Sequence, residues 1–125
     1  MFKSYLCCKQ VTDDEWELTA PLVYDAGRFG VFTVPVGFTC DFCSVPRMPV
    51  GFLLCGGIAE GAGVVHDYIY RYGLTDRKAA DTVFYMALRD LGVPAWKASL
   101  MYQAVRIGGK KYWDAYRRRD NEVRR

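Results

Sequence analysis

The hydrophobic period of the chain changes near residue 58, and this change limits the fold more than any other feature. Residues 16–24 alternate apolar and polar side chains, residues 31–34 form a second extended apolar run, and turn-forming residues lie between them. This pattern predicts a β-hairpin. From residue 58 onward apolar side chains recur with the helical period. The sequence therefore predicts an α+β fold.

Glycine, proline and capping residues divide the second half of the chain into helices. Glycine ends a helix readily, aspartate and threonine cap its first turn, and proline is tolerated there. Residues of these types lie between the periodic segments: Gly73, Thr75, Asp76, Gly92, Pro94, Gly108 and Gly109. We expect an N-terminal β-hairpin or small antiparallel sheet, then an irregular Pro/Gly segment, and then a bundle of three to four helices.

The length of 125 residues fits one domain with one core. Hydrophobic residues make up 51% of the chain and charged residues 25%, which excludes an intrinsically disordered protein. Within this single domain we distinguish an N-terminal segment, a β-rich part, a helical part and a basic C-terminal tail. Their approximate bounds are residues 1–15, 16–47, 58–107 and 108–125.

Positive charge is concentrated at the end of the chain, although the net charge is only +3. The cationic residues of interest are Lys110, Lys111, Arg117, Arg118 and Arg119. One interpretation is a solvated terminal helix. The other is electrostatic contact with nucleic acid, an anionic membrane surface or an acidic partner protein.

The five cysteines lie in the first half of the chain. An odd number fits a closed disulfide framework poorly, so reduced thiols in a cytosolic setting are expected. Cys40 and Cys43 have zinc-knuckle spacing, but Cys7 and Cys8 are adjacent and badly placed to chelate the same ion. No secretory signal is expected, because Lys3, Lys9, Asp13 and Asp14 interrupt the N-terminus. No transmembrane segment is expected, because glycines and Glu60 interrupt the longest apolar run.

The most informative constellation lies in the first two predicted helices. His66 precedes the turn near Leu74 by eight residues and Asp81 follows it by seven, so an antiparallel pair brings them level. A carboxylate on a packing face needs a hydrogen-bond partner, which predicts a bond between Asp81 and His66. Tyr70, four residues after His66, can reach the same place. Asp67 points about a quarter-turn away.

Two interpretations of this cluster stay open. An imidazole held by a carboxylate can act as a general base, and the neighbouring Asp67 suits a hard cation such as Ca²⁺. Alternatively, the histidine is a core residue with a satisfied hydrogen bond. Asp41, Ser44 and Arg47 lie in the irregular segment. They could complete a site, or they could fix a loop that is poor in backbone hydrogen bonds.

Three motifs in order resemble the phage and prophage family called domain of unknown function 1353. They are residues 34–47 (VPVGFTCDFCSVPR), 66–70 (HDYIY) and 80–84 (ADTVF). The resemblance runs from about Trp16 to Trp113. It implies a bacteriophage or prophage origin and no known activity.

The helical hairpin also resembles the core of phospholipase A₂, through residues 66–71 (HDYIYR) and the Asp81-x-x-Phe84 motif. This resemblance implies that His66 activates water and Asp67 holds Ca²⁺. It also implies that Asp81 and Tyr70 orient the histidine. No other cofactor is implied.

Three functional hypotheses follow. The first is a small Ca²⁺-dependent hydrolase of lipid or another ester. The second is a structural or accessory component of a phage particle, in contact with other phage structural proteins of the tail, neck or head. The third is a binding module that uses the basic C-terminal tail. The expected location is the host bacterial cytoplasm or the phage virion.

Overall fold

The computed structural model describes residues 1–12, 15–40 and 60–123. In the first half, strands β1 (Cys8–Gln10), β2 (Trp16–Leu18) and β5 (Thr39–Cys40) form an antiparallel sheet in the order β1-β2-β5. Strand β1 lies within the N-terminal segment, for which the sequence predicted no element.

The predicted hairpin is confirmed by a second sheet of two strands. Strands β3 (Leu22–Asp25) and β4 (Val31–Val34) pair in antiparallel register, with Leu22 opposite Val34. A 3-10 turn at Gly27–Phe29 connects them, and Gly27 and Gly30 both have positive φ angles.

The expectation of one strand over residues 16–24 is wrong. The chain bends after Leu18, and β3 begins only at Leu22. Pro21 lies at the break, and proline cannot donate a backbone hydrogen bond to a neighbouring strand. The two halves of the alternating run therefore belong to different sheets.

The second half of the described chain forms a bundle of four helices, which confirms the predicted α+β class. They are α1 (Glu60–Tyr72), α2 (Arg77–Asp90), α3 (Ala95–Gly108) and α4 (Lys110–Val123). The side chain of Asp76 caps α2 by accepting a hydrogen bond from the Ala79 amide at 2.8 Å. Gly73 follows α1 with a φ of 59°, as expected of a left-handed helix end.

Gly108 and Gly109 separate α3 from α4, as the sequence predicts. Gly108 is the last residue of α3, and Gly109 keeps a right-handed helical conformation. Its amide donates to the carbonyl of Val105, and its own carbonyl accepts from the Trp113 amide. Helix α4 therefore begins one residue after the end of α3, and the basic tail is helical as far as Val123.

Helix α1 is the centre of the packing, because it contacts α2, α4 and both strands of the β3–β4 hairpin. One hydrophobic core joins the sheets to the helices. Its largest fully buried apolar side chains are Tyr24, Phe84, Leu18, Leu22, Ile69, Leu88 and Met101. The hydroxyl of Tyr24 donates to Asp90 at 2.7 Å and ties the hairpin to the end of α2.

Several predictions fall outside the described residues. They concern most of the irregular segment and the residues Asp41, Cys43, Ser44, Arg47 and Cys55. Of the described cysteines, Cys7 is exposed, Cys8 is partly buried and Cys40 is buried, all as free thiols. Within the described residues, no helix has both the length and the apolar character needed to cross a membrane.

Candidate functional site

Helices α1 and α2 bring His66 and Asp81 together, as their spacing around the turn predicts. Nε2 of His66 lies 2.7 Å from Oδ1 of Asp81. Both residues are buried, and Asp81 has no exposed surface. The hydrogen bond predicted from the sequence is therefore confirmed, whereas a catalytic role for it stays a prediction.

Tyr70 completes the contact from one turn further along α1. Its hydroxyl donates a 2.7 Å hydrogen bond to the same oxygen, Oδ1 of Asp81. The imidazole of His66 packs between two aromatic rings, with centroids 4.3 Å from Tyr70 and 4.7 Å from Phe84. These contacts hold the ring in one orientation.

Two arginines absent from the sequence prediction reach the second oxygen of Asp81. Nη1 of Arg106, on α3, donates to Oδ2 at 2.8 Å, and Nη1 of Arg77 lies 3.7 Å from it. Arg77 precedes Asp81 by one helical turn, and that spacing was a usable signal. Arg106 is distant in sequence and carried no such signal. We call Asp81, His66, Tyr70, Arg77 and Arg106 the Asp81 cluster.

The charge state of Asp81 follows from these partners. Burial by itself would raise its pKa. Hydrogen bonds from His66, Tyr70 and Arg106 act in the opposite direction and hold the pKa of Asp81 below its ordinary value of 3.8. Asp81 is therefore an anion at neutral pH.

The phenol of Tyr70 is a donor in this cluster and not a base. Burial and the hydrogen bond to Asp81 both raise the pKa of Tyr70 above its ordinary value of 10.0. The hydroxyl therefore keeps its proton at neutral pH and remains a hydrogen-bond donor to the carboxylate.

The ionised Asp81 also fixes the tautomer of His66. A carboxylate can only accept, so Nε2 carries a proton and donates it to Oδ1. In the neutral imidazole the lone pair is then on Nδ1. Among the described residues, none forms a hydrogen bond with Nδ1.

Asp67 follows His66 in the chain but belongs to a different set of contacts. It is buried, and its Oδ2 accepts a 3.0 Å hydrogen bond from Nη2 of Arg71. The same guanidinium donates to the carbonyl of Thr39 at 3.0 Å and lies 4.6 Å above the ring of Phe38. Arg71 thus links α1 to the end of the β-rich half.

The described residues do not by themselves make a metal centre. No group of three or more His, Cys, Asp or Glu side chains among them is arranged to hold a metal ion. The carboxylate of Asp67 instead forms an ion pair with Arg71. The other candidates, Asp41, Ser44 and Arg47, lie outside the described residues, so their part in a site stays a prediction.

Gly109 supports the Asp81 cluster by allowing close approach. A Cβ atom at this position would lie 2.6 Å from the hydroxyl oxygen of Tyr70 and 2.4 Å from the carbonyl oxygen of Val105. The ring of Tyr70 also meets Trp113 edge-on, at 5.1 Å between centroids. Only a residue without a side chain fits between α1 and α4 here.

Arg117 is the most interior cation of the predicted basic tail. Its Nη2 donates to the carbonyls of Tyr70 and Arg71, at 2.8 and 3.0 Å, and so caps the end of α1. The guanidinium lies 4.6 Å above the ring of Trp113 and forms an ion pair with Asp120. It therefore stabilises the bundle from within.

The other basic residues of α4 lie further out. Lys110 forms an exposed ion pair with Asp114 at 2.8 Å, and Lys111 lies over the ring of Tyr112. Arg118 and Arg119 are exposed. The cationic set singled out in the sequence thus divides into one internal arginine and an outer group.

Comparisons with known proteins give a family and no activity. The sequence model of the family described as "Protein of unknown function (DUF1353)" matches residues 16–105. Over 100 residues the chain is 36% identical to an uncharacterised protein, y4jT, of Sinorhizobium fredii. This alignment covers 75% of the present chain and 29% of the length of y4jT. The chain thus spans less than a third of the length of this curated relative. No solved structure matches the chain significantly.

Proposed function

The chain belongs to the family of proteins of unknown function DUF1353, and we propose that it is a hydrolase in which His66 acts as the general base. The observation that carries this proposal is the 2.7 Å hydrogen bond between Nε2 of His66 and the fully buried Asp81. It matches what the phospholipase A₂ resemblance implies for these two residues.

The chemistry follows from the charge of the carboxylate. Asp81 holds the proton on Nε2, so the basic lone pair of His66 is on Nδ1. Nδ1 then takes a proton from water as the water attacks an ester carbonyl, whose C=O bond opens to an oxyanion. When the oxyanion closes again to a carbonyl, the ester C–O bond breaks and Nδ1 returns its proton to the leaving alkoxide. The positive charge that develops on the imidazole is stabilised by the anionic Asp81.

Tyr70 and Arg106 act as positioning residues through Asp81. Tyr70 bonds to the oxygen that His66 also uses, and Arg106 holds the other oxygen. Together they prevent rotation of the carboxylate, which fixes the direction of the imidazole. This rigidity is what general-base catalysis requires of its supporting groups.

Calcium at Asp67 remains a separate proposal. Asp67 forms an ion pair with Arg71, so the described residues alone do not supply a calcium site. A cation there would need further oxygen ligands, and of the residues predicted to complete the site Asp41 and Ser44 carry such oxygens. The general-base step of His66 does not depend on it.

The test is hydrolysis of a phospholipid and of a simple aryl ester, each with calcium and with a chelator. His66→Gln keeps an amide able to bond to Asp81 but removes the base, and we expect the rate to fall about 10²–10⁴-fold. Tyr72→Phe, an exposed change on the same helix, should leave the rate unaltered. Equal rates for wild type and His66→Gln, or no turnover by the wild type, would refute the proposal.

A second candidate is a structural or accessory component of a phage particle, located in the tail, neck or head. It is favoured by the number of contacts at Asp81, which joins α2 to both α1 and α3. Such a buried ionic cluster can serve stability alone. Detection of the protein in purified particles by mass spectrometry, together with no turnover, would support this candidate over the hydrolase.

A further inference from the structure

Helix α3 carries a row of apolar side chains that the rest of the described structure leaves uncovered. Trp96, Leu100 and Ile107 are 63%, 44% and 84% exposed, and Gln103 between them is also exposed. Their spacing of four, three and four residues places them on one side of the helix. The opposite side is buried, through Ala98, Met101 and Val105.

Positive charge lies at both ends of this row. Lys97 follows Trp96 directly, and Lys110 and Lys111 come within one turn of Ile107. Only Gly109 separates α3 from α4, so Lys110 and Lys111 lie next to the C-terminal end of the row. Lys110 shares its charge with Asp114.

We propose that this outer side of α3, with the first turn of α4, adsorbs to the surface of an anionic lipid membrane. Trp96, Leu100 and Ile107 enter the boundary between headgroups and acyl chains. The lysines at either end bind lipid phosphates. An exposed helix side with aromatic and aliphatic residues among lysines is the pattern of interfacial helices.

The exposure of the row favours a lipid surface over a protein partner. Ile107 protrudes, with 84% of its surface accessible, so it does not lie in a groove that could bind a peptide. A second copy of the chain is disfavoured because three apolar side chains supply only part of the roughly 800 Å² per partner of a stable interface. The flanking lysines would also meet one another. Leu100 and Ile107 offer no aromatic ring on which the bases of a nucleic acid could stack.

This inference does not rest on the hydrolase proposal. The row lies on the outer side of α3, and adsorption to lipid requires no chemistry at His66. Lipid binding without ester hydrolysis would support this inference alone, and hydrolysis without lipid binding would support the hydrolase proposal alone.

The test is co-sedimentation with vesicles of phosphatidylglycerol and phosphatidylcholine in equal parts, compared with pure phosphatidylcholine. We expect binding to the anionic vesicles that weakens with salt, and much less to the neutral ones. Leu100→Ser and Ile107→Ser should each lower binding about tenfold or more. Val31→Ser, at a valine on β4 whose 60% exposure lies between those of Leu100 and Ile107, is the matched control and should have no effect.

Two further experiments test the contribution of the lysine charges and the insertion of Trp96 into the membrane. The double change Lys110→Gln and Lys111→Gln should weaken binding, whereas Lys3→Gln on the exposed N-terminal segment should not. The vesicle-induced blue shift of tryptophan fluorescence should vanish in Trp96→Phe. Circular dichroism of each variant confirms that the fold is retained.

Four results would overturn the inference. Two are equal sedimentation of wild type and Ile107→Ser, and no sedimentation with anionic vesicles. The third is a dimer in vesicle-free ultracentrifugation that Ile107→Ser abolishes, which would assign the surface to a second copy of the chain. The fourth is tighter binding to single-stranded DNA than to vesicles, which would assign it to nucleic acid.

Discussion

Arg106 and Asp81 form an ion pair between helices α3 and α2, with Nη1 of the arginine 2.8 Å from Oδ2 of the aspartate. The carboxylate has no exposed surface, whereas the arginine side chain is 31% exposed. The cluster that holds His66 therefore depends on a cation from a helix that is remote in sequence. This pair joins the third helix to the candidate site.

Replacing this arginine tests the contribution of the pair to stability. Arg106→Gln removes the charged donor while His66 and Tyr70 continue to bond to Asp81. We expect the free energy of unfolding at pH 7 to fall by roughly 1–2 kcal/mol, because charged hydrogen bonds contribute about 1.5–3 and this one is partly screened by solvent. Urea denaturation measures it. Arg119→Gln, at an exposed position, should change the stability little, and an equal loss in both variants would contradict the assignment.

Removing the carboxylate itself gives a pH-dependent effect. The pKa of Asp81 is lower in the folded state than its ordinary 3.8, so its ionised form favours folding. That stability is fully present above about pH 4 and is lost as the pH falls through the folded-state value. Asp81→Asn should therefore lower the free energy of unfolding by about 3–5 kcal/mol at pH 7. The difference from wild type should shrink below pH 4.

The measurement is urea denaturation of both proteins at pH 7, 5 and 3. Asp114→Asn is the control, since Asp114 is paired with Lys110 on the surface. It should change stability little at any pH. A gap between wild type and Asp81→Asn that stays constant down to pH 3 would show that the ionised carboxylate is not the stabilising form.

The contact between His66 and Asp81 could be predicted because it depends only on local rules. One turn joins two periodic helices, so counting residues from that turn fixes which positions face each other. Tyr70 follows from helical spacing alone. The ion pair of Asp67 with Arg71 also has i to i+4 spacing and was open to prediction from the same rule.

The contacts of Arg106, Gly109 and Arg117 could not be predicted in this way. They depend on how α3 and α4 are rotated about their axes, and packing against distant residues decides that. Periodicity of side chains also does not mark where a strand changes sheet. The break at Pro21 illustrates this, since apolar side chains continue on both sides of it, from Trp16 to Tyr24.

Arg117 and Arg118 provide a test of the distinction between the internal and outer cations of α4. Arg117 caps the carbonyls of Tyr70 and Arg71, whereas Arg118 is exposed. Arg117→Met should lower the free energy of unfolding by roughly 1–3 kcal/mol. It should also speed hydrogen exchange at the end of α1. Arg118→Met should do neither, and the reverse order would contradict the assigned cap.

The calcium proposal at Asp67 can be examined through its arginine partner. Arg71 neutralises the Asp67 carboxylate, so Arg71→Gln should raise calcium affinity by about tenfold or more if Asp67 is a ligand. Isothermal titration calorimetry measures the affinity. Asp67→Asn should abolish binding, and Arg28→Gln, an exposed change in the turn after β3, should not alter it. If neither Asp67→Asn nor Arg71→Gln changes the calcium affinity, any calcium site lies elsewhere.

At Gly109 we expect a glycine-to-alanine substitution to have the opposite effect on stability from the usual one in a helix. Glycine to alanine normally stabilises a helix by up to about 1 kcal/mol. At this position the new Cβ would lie 2.6 Å from the Tyr70 hydroxyl and 2.4 Å from the Val105 carbonyl. Gly109→Ala should therefore destabilise the protein by roughly 1–3 kcal/mol, measured by urea denaturation.

The control for this effect lies on α1. A Cβ at the buried Gly61 would meet the ring of Phe2 at 3.6 Å, an ordinary contact, so Gly61→Ala should be neutral or stabilising. Tyr70→Phe removes the hydroxyl and so relieves part of the clash at Gly109, and the two changes together should cost less than the sum of the single changes. Strict additivity would show that the loss arises from the Val105 carbonyl alone. The close approach of Gly109 would then have no part in positioning Tyr70 against Asp81.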